Sequence, residues 1–230
     1  MNSIVLADIS FRPDIDALME RLSVRKGSTR VDVLRNFAGE AQAIARPKAF
    51  YRPAFVESKG DDFVVVEGVT LTSRVLRVNL DGVHRVFLYV ATCGTELEGW
   101  SNAIEDRLHR HWGEVIKMMA LRSAIWALNE QLAERYRPGR LSEMSPGSLQ
   151  DWPLQAQRAL FALLGDPEEA VGVRLLDSLF MSPGMSVSGI KFPTEEGFES
   201  CQLCPRENCP IRRAPYDGGL YDKKYRPGAN

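Results

Sequence analysis

Residues 61–94, "DDFVVVEGVTLTSRVLRVNLDGVHRVFLYVATCG", are where the chain changes from helical to extended patterning. Val, Leu, Thr and aromatic residues crowd this stretch, a composition that suits a pleated, partly buried surface. Asp81-Gly82 reads as a two-residue hairpin turn between alternating apolar runs. After it, Val86, Leu88 and Val90 form one face of a strand, and Phe87, Tyr89 and Ala91 form the other. Both faces are apolar, which predicts a central strand covered on both sides.

On the N-terminal side, helical spacing runs through residues 14–22 and 31–45. The Arg46-Pro47 and Arg52-Pro53 steps mark where helix yields to extended chain. On the C-terminal side, residues 95–135 carry a stripe of Trp100, Ile104, Leu108, Trp112, Val115 and Met119, the pattern of a long amphipathic helix that Gly113 could bend or split. Pro138-Gly139 ends it, and Asp151 can cap a further helix with Pro153 in its first turn. Strand-like pieces follow at 171–181 and 186–192, joined by a Pro183-Gly184 turn. Helices, then sheet, then helices, then strands, without regular βαβ alternation, predict an α+β fold. The expected architecture is a bent, largely antiparallel sheet flanked by helices over residues 1–198. An irregular Cys-rich tail, 199–230, is too poor in large apolar side chains for a core of its own and should pack on that domain.

A chain of 230 residues buries about 70% of its unfolded surface and needs no covalent staples. Charged residues make up 26% with a net charge of -1, so no global basic field points to nucleic acid and no polar excess points to disorder. The first apolar run, Ile4 to Ala7, ends at Asp8, far short of a signal peptide or a bilayer span. A cytoplasmic protein without a membrane partner is expected. In a reducing compartment, clustered cysteines serve metal or redox chemistry more often than disulfides.

Three of the four cysteines form C-x2-C-x4-C in "ESCQLCPRENCPIRRAPYD", residues 199–217: Cys201, Cys204 and Cys209. Cys93, directly after the central strand, could complete four thiolates; without it the site would keep an open position or take an external thiolate. Four thiolates suit a [4Fe-4S] or [2Fe-2S] cluster or a zinc ion. The lack of a second Cys pair and the prolines at 205 and 210 favour the cluster, whose negative charge Arg212 and Arg213 would offset. From 201 to 226, six cations face three acids, a surplus that could steer an acidic electron donor or corrinoid protein.

Other candidates are weaker. His109 and His111 stand two apart, on opposite sides of a helix, and cannot share one ion. His84 follows a turn, and Glu96 and Glu98 read as ordinary partners of a helix N-terminus. No Walker A loop, dinucleotide fingerprint, G-x-S-x-G elbow or H-E-x-x-H occurs.

The stretch 141–192 carries a Pro146-Gly147 turn, the helix start "DWPLQAQ", the strand and turn "GVRLLDSLFMSP", and the strand "SVSGIKF". In these motifs, joined by "VDVLRNFAG" and "YVATCGTELEGW" upstream, the chain resembles the activation domain of cobalamin-dependent methionine synthase and its free-standing relatives. The resemblance implies a bent antiparallel sheet, S-adenosylmethionine bound at an R-x-x-P-G-Y turn, and a corrinoid protein or methyltransferase as partner. Here that turn reads "EMSPGS": Glu143 stands for the arginine and Ser148 for the tyrosine, beside Pro146 and Gly147. An acid there should repel a methionine carboxylate, although Arg140 lies three residues away. The cysteine triplet is a second departure from the methionine synthase domain. The combination suggests an iron-sulfur protein supporting reductive activation of a corrinoid protein, with a zinc-stapled binding module as the alternative. A methyl transferor using S-adenosylmethionine is a third possibility and needs binding at the altered turn.

Overall fold

The computed structural model describes residues 3–209, 212–226 and 228. Its centre is a seven-stranded sheet in which every pairing is antiparallel. The strands are β1 (Ile4–Leu6), β2 (Lys48–Lys59), β3 (Phe63–Val66), β4 (Val69–Thr72), β5 (Arg85–Thr92), β6 (Leu141–Met144) and β9 (Ser186–Pro193). They run in the order β4-β3-β2-β5-β9-β6, with β1 also on β2. A separate two-stranded hairpin joins β7 (Arg174–Leu175) to β8 (Met181–Ser182). Pairing β5 with β9 sets Phe87 opposite Lys191 and Thr92 opposite Ser186.

The helices are α1 (Ile15–Arg21), α2 (Arg30–Ile44), α3 (Arg74–Asn79), α4 (Thr95–Asn102), α5 (Arg107–Tyr136), α6 (Gln157–Leu164) and α7 (Pro167–Val171). Every residue of β5 beyond Arg85 is buried. Val86, Leu88 and Val90 pack with side chains of α3, α6 and α7 and with Trp152. On the opposite face, Phe87, Tyr89 and Ala91 meet Ala124, Leu128 and Leu132 of α5. Cys93 continues that second face into a cluster with α1, α2, α4 and the first half of α5. Each fully buried large apolar side chain contributes about 1.5–3 kcal/mol by leaving water. The two-faced reading of β5 therefore describes the centre of the molecule.

Four local expectations fail. The segment 74–79 is helix rather than strand. Ser73 caps it by accepting from the Leu76 amide at 2.9 Å, and Asp151 accepts from the amides of Arg74 (3.2 Å) and Val75 (3.0 Å). Asp151 thus caps α3 from 76 residues away in the chain instead of the helix that follows it, and Asp81-Gly82 closes a helix rather than a hairpin. The stripe from Trp100 to Met119 crosses two helices, because the chain breaks between Asn102 and Arg107 and not at Gly113. A side chain at 113 would meet Ser101 Oγ at 2.9 Å, so glycine there lets α5 lie close on α4.

The tail is fastened to the α3 side of the sheet. Phe198 and Tyr225 enter that core with ring centroids 6.2 Å apart. The Tyr225 hydroxyl donates to Asn79 Oδ1 at 2.9 Å, and Arg74 Nε donates to the Tyr225 carbonyl at 2.8 Å. No helix among the described residues is long and apolar enough to cross a membrane.

Candidate functional site where the turn meets the tail

β6 is the last strand of the sheet, so its C-terminal end is free to lead into the Pro146-Gly147 turn. Gly147 has φ +84°, a left-handed conformation that suits glycine, and its amide donates to the Trp152 carbonyl at 2.8 Å. Across from the turn lies the tail, with a 3-10 segment (Ser200–Leu203) whose Glu199 and Gln202 form a reciprocal capping box. Between them opens a cavity of about 1020 Å³. Gly147 to Asp151, Pro153 and Leu154 line one wall, and Leu203 to Arg206 with Tyr216 to Gly218 and Tyr221 line the other. The sequence motifs singled out separately, the turn and the thiol loop, are two walls of one space.

Glu143 is the electrostatic centre of this edge. Lys191 Nζ donates to it at 2.5 Å, the Tyr89 hydroxyl donates at 3.2 Å, and Arg213 of the tail donates to its second oxygen. Burial alone would push the carboxyl up, but Lys191 and Arg213 outweigh it and hold Glu143 at about 2. Burial, followed by the adjacent carboxylate, pushes the Tyr89 phenol well above its usual value. Lys191 also lies 4.8 Å from the centre of the Tyr89 ring. Arg213 Nε stands 3.0 Å from Glu199 Oε2, an ion-pair contact without hydrogen-bond alignment.

This arrangement explains the acid at 143: it receives the tail's own arginine. As a receptor for a ligand carboxylate through residue 143, the site does not fit, since an ionised carboxylate occupies the position. Arg140 does not stand in for it. It lies at the other end of β6, donating to the Glu196 carbonyl at 3.2 Å.

The cysteines fall into two groups. Cys201, Cys204 and Cys209 are free, half-buried thiols on the tail, and Cys204 packs against the α3-side core. Cys93 is fully buried on the opposite face of the sheet, in the cluster with Leu97, Trp112 and Ile116. The structure does not bring Cys93 to the triplet, because side chains alternate across a strand and 93 shares the face of Phe87, Tyr89 and Ala91. Among the described residues, no three His, Cys, Asp or Glu side chains form a metal-holding set. The donors that fit a metal are therefore the three tail thiols, which must still converge, with a fourth ligand from outside them. Pro210 lies outside the described residues.

The tail's positive surplus is largely used internally. Arg213 meets Glu143 and Glu199, Lys224 meets Glu196 at 3.2 Å, and Arg226 meets Asp222 at 3.6 Å. The guanidinium of Arg212 faces backbone carbonyls. His109 packs against Phe37 and Trp112 rather than pairing with His111. Glu96 pairs with Lys48 and Glu98 with the buried Lys117.

No family model matches this chain, and no curated protein matches it. Among solved structures, the crystal structure of the MetH reactivation domain bound to AdoHcy matches with a TM-score of 0.61 and 14% identity, over 84% of this chain and 78% of that one. The two share a fold. At 14% identity the likeness extends to the architecture alone, the mostly antiparallel open sheet flanked by helices. On this fold, the present chain carries the thiol loop and the Glu143-Arg213 pair that fastens it.

Proposed function

We propose that this chain is a reactivation-domain-like partner of a corrinoid protein, and that its tail loop carries an iron-sulfur cluster. The observation supporting it most is the placement of the thiol loop: Cys204 borders the cavity at the Pro146-Gly147 turn, on a fold shared with the MetH reactivation domain. In this reading, Cys201, Cys204 and Cys209 hold the cluster, and its fourth position is open to a ligand from outside the triplet. When bound, the cluster supplies single electrons for returning an oxidised corrinoid to its reduced state, drawn from a separate electron donor.

The chain's own residues do the remaining work. Glu143, Lys191 and Arg213 fix the loop against the sheet edge. The Arg213 amide donates to Cys201 Sγ at 3.4 Å, the kind of contact that stabilises a thiolate. S-adenosylmethionine is left out of this reading, because residue 143 is an acid already engaged by two cations.

The test is purification without oxygen, followed by iron, acid-labile sulfide and zinc measurements per chain, with Cys204→Ser alongside. Iron and sulfide in near-equal amounts, absent from the Cys204→Ser protein, support the reading. Zinc without sulfide would replace it with a zinc-stapled module that binds a corrinoid protein or other partner without electron transfer. Neither metal, under conditions where the thiols stay reduced, would sink both.

A further inference from the structure

The tail loop is wound around one side chain. Arg212 Nη1 donates to the carbonyls of Cys201 (3.0 Å) and Ala214 (3.2 Å), and Nη2 donates to those of Cys204 (3.1 Å) and Arg206. Its backbone amide donates to the Cys209 carbonyl at 3.2 Å. All three cysteines of the triplet are thus tied to this residue through their main chains. Each Nη carries two hydrogens, so four donors meet four carbonyls in the fixed plane of the guanidinium. Lysine offers three donors from one point, and glutamine offers two. Without the cation, four carbonyl dipoles would point at one another across a half-buried space, each left short of a partner.

We infer that Arg212 is the positioning residue of the thiol loop: it sets the spacing of Cys201, Cys204 and Cys209 before any metal arrives. The inference rests on reading that loop as the metal-holding site, and it assigns Arg212 a role that its charge alone does not describe. A cation placed merely to offset thiolate charge would face the sulfurs. This one donates to backbone carbonyls. Preorganisation of this kind lowers the entropy lost when three thiolates close on an ion.

The experiment uses the full chain, reduced and metal-free, as wild type and as Arg212→Gln, Arg212→Lys and Arg206→Gln. Arg206→Gln removes one positive charge from the same loop without touching the carbonyl cradle. Cobalt(II) is titrated, and its thiolate charge-transfer absorption is read. In parallel, the rate of thiol alkylation at each tail cysteine is followed by mass spectrometry, and the urea midpoint checks the global fold.

The expected result is cobalt affinity about 10- to 100-fold weaker in Arg212→Gln. Arg206→Gln should change it by less than about fivefold. Arg212→Lys should fail to restore wild-type affinity, and alkylation should speed up in both Arg212 variants at an unchanged urea midpoint. Equal effects from Arg212→Gln and Arg206→Gln would reduce the role to charge and overturn the inference, as would full rescue by lysine. If wild type takes up no cobalt, the metal reading fails, and alkylation still decides: unchanged rates in Arg212→Gln overturn the positioning role, whereas faster rates sustain it for the thiol loop alone.

Discussion

The centre of the sheet and its β6 edge are closed by different physics. On the α5 side, Ala124, Leu128 and Leu132 meet the strands directly, and Cys93 is sealed in the neighbouring cluster with Leu97, Trp112 and Ile116. At the β6 edge, the tail is fastened by the rings of Phe198 and Tyr225 on the α3 side and, on the face that carries Tyr89, by a ring of charges: Lys191 and Glu143 on the sheet, Arg213 and Glu199 on the tail. The first closure depends on area removed from water and varies little with pH. The second depends on protonation and on partners drawn from distant parts of the chain. One sequence thus carries a sealed centre and an edge that solution conditions can loosen, and the accessible thiols lie at the edge.

Thiol chemistry gives the largest contrast. Burial, with Glu98 nearby, pushes the Cys93 thiol up to about 12. In metal-free native protein, Cys201, Cys204 and Cys209 should react with a water-soluble disulfide reagent while Cys93 lags by roughly a thousandfold or more. Stopped-flow absorbance should count three fast thiols, and four in denaturant. A fourth fast thiol in the native protein would break the distinction between the sealed centre and the edge.

Glu143→Arg comes next. It installs the arginine that the activation-domain resemblance implies at this turn, but here it sets two arginines, at 143 and 213, against the buried Lys191. Losing the carboxylate from a buried pair and adding a like charge should cost about 3–5 kcal/mol in urea unfolding. Isothermal titration with S-adenosylmethionine should show no heat for this variant or for wild type. Stable protein that binds the nucleotide would mean that the carboxylate at 143 was the only obstacle.

Acid should then act at the β6 edge and spare the centre. The Glu143 carboxyl is lowered to about 2, so the stability it contributes is complete above about 4.5 and is lost as pH falls towards 2. The amount is at most about 3 kcal/mol. The difference in urea stability between wild type and Glu143→Gln should be widest at neutral pH and shrink through that window. A gap that stays constant would show that the Lys191 and Arg213 contacts do not hold the carboxyl ionised.

The smallest effect belongs to Arg213→Ala. Its side chain is half exposed, so global stability should fall by about 1 kcal/mol or less. Limited proteolysis between residues 199 and 217 should nevertheless quicken, because that pair fastens the loop. An unchanged cleavage rate would assign the fastening to Phe198 and Tyr225 alone.

What the sequence disclosed was whatever repeats locally. β5 was legible because six consecutive apolar residues at 86–91 leave no polar face, and α1 and α2 were legible from helical spacing. The run 73–80 misled because Leu76, Val78 and Leu80 imitate alternation, while what makes it a helix is a capping carboxylate at residue 151. The thiols announced themselves by spacing, yet their separation from Cys93 is a matter of strand parity that shows only once β5 is placed. Glu143 looked like a lost ligand contact. Its pairing with Arg213, 70 residues onward, follows no periodicity, and the carbonyl cradle of Arg212 is written in backbone direction rather than side-chain type.

The order of strands also sets a timetable for synthesis. β2 and β5 can pair as soon as residue 92 is available, but the other edge of β5 finds its partner only in β9, about 100 residues later. While the ribosome adds α4, α5 and the turn, the most apolar strand in the molecule presents an open row of amides and carbonyls, the kind of template that invites association between nascent chains. α5, whose side chains cover Phe87 and Tyr89, is complete by residue 136 and can shield one face during that interval. The open edge itself stays uncovered until residue 193 emerges, so the window for misassembly lies between those two points in translation.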